Sequence, residues 1–417
     1  MSEAPTTRII RFGAGALAEL GEVCSEADIA RPLLVTTRRG AGADTGGRRI
    51  RRFLAGEAGD ASARPRPRVH RMSEAPTARI IRFGAGALGE LGDVCGEAGI
   101  ARPLLVTTRR GAGTVSGLPV VETFGGVLPH VPVETVRAAA ERVRGAGADG
   151  LVGLGGGSAI DTCKAVVAEL AAGGMEPLPR VVAVPTTYAG AEWTSYFGML
   201  LAPGRKGGGG DERARPVAAI YDPELSLGLP LAATVGTAMN ALAHCAEAFY
   251  HPDGNAAAER HAETGATAIG YALPLVVERP DGIYGRTRLL EGAMRAALAL
   301  AESGLCLGHA MAQALGGRYG LPQGSTNAVC LPAAIRFNAV AVPDAVARFA
   351  QALGVDDAPA RVEELARLGG FGRLRDLGVP EGDLDEVAEA VVGRRGALEN
   401  PRPVTAAEAA ELLRSVW

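Results

Sequence analysis

The sequence GLVGLGGGSAIDTCK, residues 150–164, decides the fold because a strand pattern changes to a helix pattern within a few residues. Residues 150–154 form a short apolar run typical of a buried strand, glycines follow at once, and a helix is predicted from Ala159. Glycines let the backbone approach a ligand, and the N–H groups and dipole of a helix N-terminus attract a phosphate. With Ser158 as a helix cap, the segment predicts an anion-binding turn, and a plain tight turn is the alternative.

The flanking sequence repeats this alternation of strands and helices. Strands are predicted at residues 79–83, 103–108, 120–124 and 180–184, and helices at 87–99 and 134–145. The strand at 180–184 ends in PTTYAG (185–190), and α/β sheets bind ligands at the carboxyl ends of their strands. The glycines at 207–210 lack a surrounding strand, turn and helix, so we predict a hairpin-type loop there.

The pattern becomes helical after Asp222 and Pro223. Alanine-rich periodic runs occur at 232–249, 255–277, 286–301, 304–315 and 342–353. We therefore predict an α/β Rossmann-like N-terminal domain plus an all-α C-terminal domain. The predicted divisions are a duplicated segment and linker at 1–71, a nucleotide-binding domain at 72–225 and a helical domain at 226–417.

The beginning of the chain is duplicated. Residues 1–42 and 72–113 are identical at thirty-seven of 42 aligned positions, which is too few copies for a solenoid. The second copy has only residues 109–119 before its next strand, so we expect it to lack a helix that the first copy carries. Either the first copy, or its helix, packs beside the second copy or replaces part of it, or the first copy is a disordered or loosely attached extra segment.

Composition excludes several classes of function. The net charge is −3, only 4% of residues are aromatic, and no apolar run reaches the roughly 18–20 residues of a membrane span, so neither nucleic acid nor a membrane is expected as a partner. The start of the chain lacks a signal-peptide pattern. The six cysteines form no CxxC pair and are expected to be reduced. These features favour a cytoplasmic protein acting on a small molecule.

Two helical segments together look like half of a metal site. Asn240 and His244 share one helix face at i, i+4 spacing, as do His309 and Gln313. Two histidines can begin a divalent transition-metal site. Asn and Gln complete it poorly, because each offers a neutral amide oxygen in place of an anion or an imidazole nitrogen.

Four motifs carry a family resemblance. GGGSAIDTCK (155–164), PTTYAGAE (185–192), MNALAHCAEAFY (239–250) and NPRPVT (400–405) resemble the maleylacetate reductases, a branch of the iron-containing alcohol dehydrogenase superfamily. The resemblance runs from about Ile80 to the C-terminus. It implies a dehydroquinate synthase-like fold with the active site in a cleft, hydride transfer from NADH or NADPH, a role in aromatic catabolism and a homodimer.

The resemblance also implies site residues. The cofactor-binding residues would be Gly155, Gly156, Gly157, Ser158, Asp161, Lys164, Thr186 and Thr187. The ligand positions Asp, His, His and His of metal-dependent members fall on Asn240, His244, His309 and Gln323, and a further family histidine falls on Gln313. We therefore expect no bound metal. Near the adenine ribose, Arg109 or Arg110 would hold a 2′-phosphate, or both are solvated.

The candidate catalytic residues are His244, His309, Tyr188, Gln313 and Gln323. A metal-free site can reduce an activated C=C–C=O group when hydrogen-bond donors stabilise the enolate. Cys306 is expected to be a buried core residue rather than a sulfur ligand. Arg318 and Arg336 are candidates for binding substrate carboxylates, with surface ion pairs as the alternative.

The resemblance implies an NAD(P)H-dependent, metal-independent reductase that converts maleylacetate to 3-oxoadipate or acts on a related unsaturated or carbonyl substrate. Two other classes stay open. One is a non-redox lyase or cyclase of specialised metabolism on the same scaffold. The other is a pseudoenzyme, which the duplicated N-terminus favours more than any single residue change.

Overall fold

The computed structural model describes residues 10–11, 79–114, 117–202 and 205–417. By its contacts the chain divides into two compact units, Met1–Ile81 and Arg82–Trp417. In the first unit, the structure describes a two-residue strand, Ile10–Arg11, and residues 79–81. The predictions for the first copy of the duplication and for its linker otherwise lie outside the described residues.

A sheet of mainly parallel strands forms the centre of the α/β part. From Ile80 onward its strands are β1 (Ile80–Phe83), β2 (Pro103–Val106), β3 (Glu122–Phe124), β4 (Gly150–Gly155), β5 (Arg180–Pro185) and β8 (Ala218–Tyr221), in the order β1-β8-β5-β4-β2-β3. The pairs β2/β3, β2/β4, β4/β5 and β5/β8 are parallel. The apolar runs in β2, β4 and β5 are buried because helices cover parallel sheets on both faces.

Among the described residues, the α-helices of this part are α1 (Leu91–Glu97), α2 (Arg109–Thr114), α3 (Val133–Ala146) and α4 (Gly157–Ala172). In the second copy, the short helix α2 connects β2 to β3. The helix predicted for the first copy lies outside the described residues, so the difference between the two copies stays a prediction. A separate antiparallel hairpin consists of β6 (Tyr196–Ala202) and β7 (Arg205–Gly210).

The glycines at 207–210 lie in strand β7 and not in a loop, which corrects the prediction made from their composition. A Cβ at Gly209 would lie 2.8 Å from Phe197 Cζ, and one at Gly210 would lie 2.8 Å from Tyr196 Cδ1. The glycines are therefore needed because the aromatic rings of β6 occupy the space above β7.

The helical part begins at Leu231. Its long helices are α5 (Leu231–Tyr250), α6 (Ala256–Glu278), α7 (Ile283–Glu302), α8 (Leu307–Tyr319) and α9 (Gln323–Ala339), followed by α10 (Pro343–Ala352), α11 (Ala358–Arg367), α12 (Leu384–Val392), α13 (Arg395–Leu398) and α14 (Ala406–Ser415). All five helical runs predicted from periodicity are present, and the predicted fold class is confirmed. The predicted division at 225/226 falls in the 3-10 turn Pro223–Ser226.

Helix α9 is one that periodicity did not predict. It contains Pro332 and is buried over most of its surface, so it shows no polar face that would reveal a 3.6-residue period. Helix α5 is buried almost throughout its length in the same way. Across the described residues, the helices are too short or too polar to span a membrane.

Candidate active site

The glycine turn joins β4 to α4. Gly155 ends the strand at φ 151°, which favours glycine, and Gly156 is the N-cap of the helix that begins at Gly157. No side chain caps this end, so the prediction of a Ser158 cap is wrong; Ser158 lies in the first helical turn. The first N–H groups of a helix lack partners within the helix, and α4 is long enough for its dipole to favour an anion there.

The loop after β5 packs directly on this turn. Thr186 N donates to the Gly155 carbonyl at 2.9 Å, and a Cβ at Gly156 would lie 3.1 Å from Thr187 Cγ2. A Cβ at Gly157 would lie 3.5 Å from Ala189 Cβ. The structure thus brings the two predicted threonines to the glycine turn, at an edge where the backbone can approach a pyrophosphate.

Asp161 and Lys164 connect α4 to the β6–β7 hairpin. Lys164 is fully buried, and its ammonium donates to the carbonyl oxygens of Ala191 (2.9 Å) and Tyr196 and pairs with Asp161 Oδ1 at 2.7 Å. Asp161 Oδ2 accepts from Gly198 N at 3.1 Å. The two carbonyl hydrogen bonds and the ion pair with Asp161 hold the Lys164 ammonium between α4 and the hairpin, so Lys164 positions the hairpin beside the glycine turn.

Helices α5 and α8 bring the two candidate histidines together. The rings of His244 and His309 are stacked, with centroids 4.8 Å apart and planes inclined by 12°. The residues are 4% and 2% exposed, respectively. Burial, and secondly the neighbouring His309, hold the pKa of His244 well below its ordinary value.

Glu247 is a third functional residue beside this pair, and the sequence analysis did not predict its role. It is fully buried, and its carboxyl accepts from His309 Nδ1 at 2.7 Å, from His309 N at 3.0 Å and from Cys306 N at 2.8 Å. It therefore caps the N-terminus of α8 while fixing a proton on His309 Nδ1. The available signal was its spacing, three residues after His244 on the same helix face.

Asn240 links the helices to the loop after β5. Its Nδ2 lies 3.1 Å from the Ala189 carbonyl oxygen and 3.3 Å from His244 Nε2, and its Oδ1 accepts from Asn327 Nδ2 at 2.7 Å. A Cβ at Gly190, where φ is 82°, would lie 3.5 Å from His244 Cε1. Residues 187–190 therefore contact both the glycine turn and the helix that carries His244.

Several of the candidate residues and their neighbours have buried polar atoms without hydrogen-bond partners. Within the described part of the chain these include His244 Nδ1, His309 Nε2, Gln323 Nε2 and Asn327 Oδ1. Gln323 begins α9 one turn before Asn327, and Gln313 follows His309 by one turn on α8; both glutamines are half-buried. Buried polar groups normally find partners, so these atoms indicate a place for a ligand or water.

Tyr188 is placed differently from the other candidates. Its side chain is fully buried, and its hydroxyl lies 3.3 Å from Ser226 Oγ and 3.3 Å from Arg286 Nη1. The structure gives no hydrogen bond between Tyr188 and either stacked imidazole. This hydroxyl connects the loop after β5 to helix α7.

The remaining candidates lie in the core or on the surface. Cys306 is buried, as expected of a core residue, and burial raises the pKa of its thiol. The idea that two arginines bind the substrate is wrong for this structure, because Arg318 pairs with Glu386 at 2.7 Å and Arg336 with Glu363 at 2.6 Å on the surface. Surface ion pairs were the alternative interpretation.

Comparison with known proteins gives consistent results along the chain. Residues 78–223 match the iron-containing alcohol dehydrogenase family, and residues 234–417 match the C-terminal part of the Fe-containing alcohol dehydrogenase family. The chain is 37% identical over 346 residues to maleylacetate reductase from Pseudomonas knackmussii, which covers 81% of this chain and 95% of that protein.

Two solved structures resemble the fold closely. The crystal structure of maleylacetate reductase from Agrobacterium tumefaciens has a TM-score of 0.75 and 33% identity, covering 85% of this chain and 99% of that chain. Sulfoacetaldehyde reductase from Bifidobacterium kashiwanohense in complex with NAD+ has a TM-score of 0.74 and 25% identity, covering 81% of this chain and 96% of that chain.

Proposed function

Because the chain belongs to the iron-containing alcohol dehydrogenase family, and is therefore an oxidoreductase, we propose that it reduces maleylacetate to 3-oxoadipate with NADH or NADPH. The observation that carries this proposal is the stacked pair of His244 and His309 beside the glycine turn at 155–158. A related unsaturated or carbonyl substrate is the second candidate. Gln313 and Gln323 stand where metal-dependent family members have histidines, and their amides can donate hydrogen bonds but not protons.

The residues present fit a nicotinamide cofactor. Gly156 and Gly157 leave the backbone at the N-terminus of α4 free of side chains, which suits a pyrophosphate. The bound cofactor would supply a hydride to the substrate. Arg109 and Arg110 are exposed at the start of α2, where they offer positive charge to a 2′-phosphate, so both NADH and NADPH belong in the test.

The reaction also needs a proton donor, and a histidine of the stacked pair can supply the proton. When a hydride adds to one carbon of a C=C–C=O group, negative charge moves to the carbonyl oxygen and a proton must reach the other carbon. His309, supported at Nδ1 by Glu247, presents Nε2 as the nitrogen that can deliver this proton. The amides of Gln313 and Gln323 can donate hydrogen bonds but cannot transfer a proton.

The donor set does not fit a divalent metal. Asn240 directs an N–H toward His244 Nε2, where a metal would need the free lone pair. The nearest carboxylate, Glu247, already accepts three N–H bonds behind His309. In the part of the chain that the structure describes, no group of three or more His, Cys, Asp or Glu side chains could hold a metal. This poor fit supports our proposal that the reaction is metal-independent.

Steady-state kinetics test the proposal. The purified full chain is mixed with maleylacetate and NADH or NADPH, nicotinamide absorbance is followed, and the product is identified by mass spectrometry. We expect one 3-oxoadipate for each nicotinamide oxidised. Failure to oxidise either cofactor with maleylacetate or a panel of unsaturated acids and ketones would overturn the proposal. We further propose a cytoplasmic homodimer, which light scattering and cell fractionation test.

A further inference from the structure

We propose that Asn240 is a positioning residue that holds His244 as the neutral Nδ1–H tautomer, so that this imidazole donates a hydrogen bond to the substrate oxygen on which negative charge develops. The proposal deepens the reductase function given above and rests on it for the role of the oxygen. The tautomer itself follows from hydrogen-bond directions around Asn240 alone.

The orientation of the Asn240 amide is fixed from two sides. The Ala189 carbonyl can only accept, so the amide group 3.1 Å from it must be the NH2 of Asn240. The amide oxygen then faces Asn327, which donates to it at 2.7 Å. If the Asn240 amide were rotated by 180°, its oxygen would face the Ala189 carbonyl oxygen. Its NH2 group would then face the NH2 group of Asn327, and neither pair could form a hydrogen bond.

This orientation decides which nitrogen of His244 carries the proton. The second hydrogen of the Asn240 NH2 is directed at His244 Nε2 at 3.3 Å, so that nitrogen must accept. A neutral imidazole that accepts at Nε2 carries its hydrogen at Nδ1. His244 Nδ1 is a buried atom without a partner in the described part of the protein, and leaving such a donor unpaired costs about 1–3 kcal/mol.

A ligand oxygen would satisfy this donor. The backbone of Gly190 lies beside the imidazole, because a Cβ there would be 3.5 Å from His244 Cε1, a ring carbon bonded to Nδ1. A neutral imidazole is an effective hydrogen-bond donor to a developing oxyanion when its surroundings keep it uncharged. Burial and the stacked His309 disfavour the charged form of His244, so the two rings differ in role: one donates a hydrogen bond and the other delivers a proton.

The tautomer can be measured without enzyme activity. The chain has six histidines, so 15N-histidine labelling followed by long-range 15N–1H correlation spectra gives few signals, and His244→Asn assigns the one of interest. We expect a proton on Nδ1 and none on Nε2. In Asn240→Asp, a carboxylate faces Nε2 and should move a proton onto that nitrogen. Asn338→Asp is the matched control, because Asn338 is also fully buried and amide-paired but bonds to Asn400.

Steady-state kinetics of His244 variants test whether this imidazole donates a hydrogen bond to the substrate or has only a structural role. An Asn side chain places its amide nitrogen near the Nδ1 position of a histidine, whereas a Gln side chain reaches the Nε2 position. We expect His244→Asn to keep kcat within about tenfold, and His244→Gln and His244→Ala to lose about 10²–10³-fold in kcat with an unchanged KM for the nicotinamide. Equal losses in the Asn and Gln variants, or a proton on Nε2 of the unmodified protein, would overturn the proposal. An inactive unmodified enzyme whose His244 shows the Nδ1–H tautomer would contradict the reductase function and leave the tautomer assignment standing.

Discussion

Glu247→Gln is the substitution expected to reveal the most about the site. The native carboxyl accepts three N–H groups in a fully buried position, two from the backbone at the start of α8 and one from His309 Nδ1. Gln replaces one oxygen by an NH2 group, so one native donor must face another donor. Hydrogen bonds to a charged group contribute about 1.5–3 kcal/mol each, and the interaction with the helix dipole adds up to about 1 kcal/mol. We therefore expect a loss of about 2–4 kcal/mol in the free energy of unfolding.

The same substitution should slow catalysis separately from its effect on stability. Without the carboxylate, His309 loses the partner that stabilises it when charged, and a loss of about 1.5–3 kcal/mol in the transition state corresponds to about 10- to 100-fold in kcat. Denaturant unfolding and nicotinamide oxidation on the same preparation measure the two effects. Glu363→Gln, which removes a surface partner of Arg336 and Arg367 far from the histidines in sequence, is the control. A folded Glu247→Gln enzyme with unchanged kcat would refute the assignment of His309 as the proton donor.

Three further substitutions test other parts of the site. Gly156→Ala should raise KM for the nicotinamide several-fold, because its Cβ would lie 3.1 Å from Thr187 Cγ2 at the turn that receives the pyrophosphate; an unchanged KM would count against that role. Gly190→Ala should cost about 1–3 kcal/mol of stability in denaturant unfolding, since φ is 82° and the Cβ would lie 3.0 Å from Ala297 Cβ; native stability would disprove that packing. Arg336→Ala should leave KM for the substrate unchanged, because its guanidinium pairs with a surface glutamate; a large rise in KM would return it to the active site.

Local patterns predicted the parts of the site that are close in sequence. The strand, glycine turn and helix at 150–172 depend on residues within one segment, so composition and spacing were sufficient. The placement of Asn240 and His244 on one helix face follows from the helical period. Bringing His244 next to His309 required the family resemblance, because no local pattern relates α5 to α8.

The parts of the site that were not predicted depend on contacts between residues far apart in the sequence. Glu247 hydrogen-bonds to His309, 62 residues away, and Asn327 to Asn240, 87 residues away. Local sequence patterns cover far shorter distances, so they could not predict either contact. Tyr188 looked like a candidate acid because it ends a strand at the ligand-binding edge. Its hydroxyl instead contacts Arg286, which lies 98 residues away, and this contact depends on how helix α7 packs.

We propose a nicotinamide-dependent reduction in which His244, His309 and Glu247 act without a metal. Maleylacetate-dependent oxidation of NADH or NADPH by chelator-treated protein, with the metal content determined on the same sample, tests this proposal. We expect full activity with far less than one metal ion per chain, and no gain in activity on adding Zn²⁺ or Fe²⁺. Loss of activity on chelation that either ion restores would contradict it.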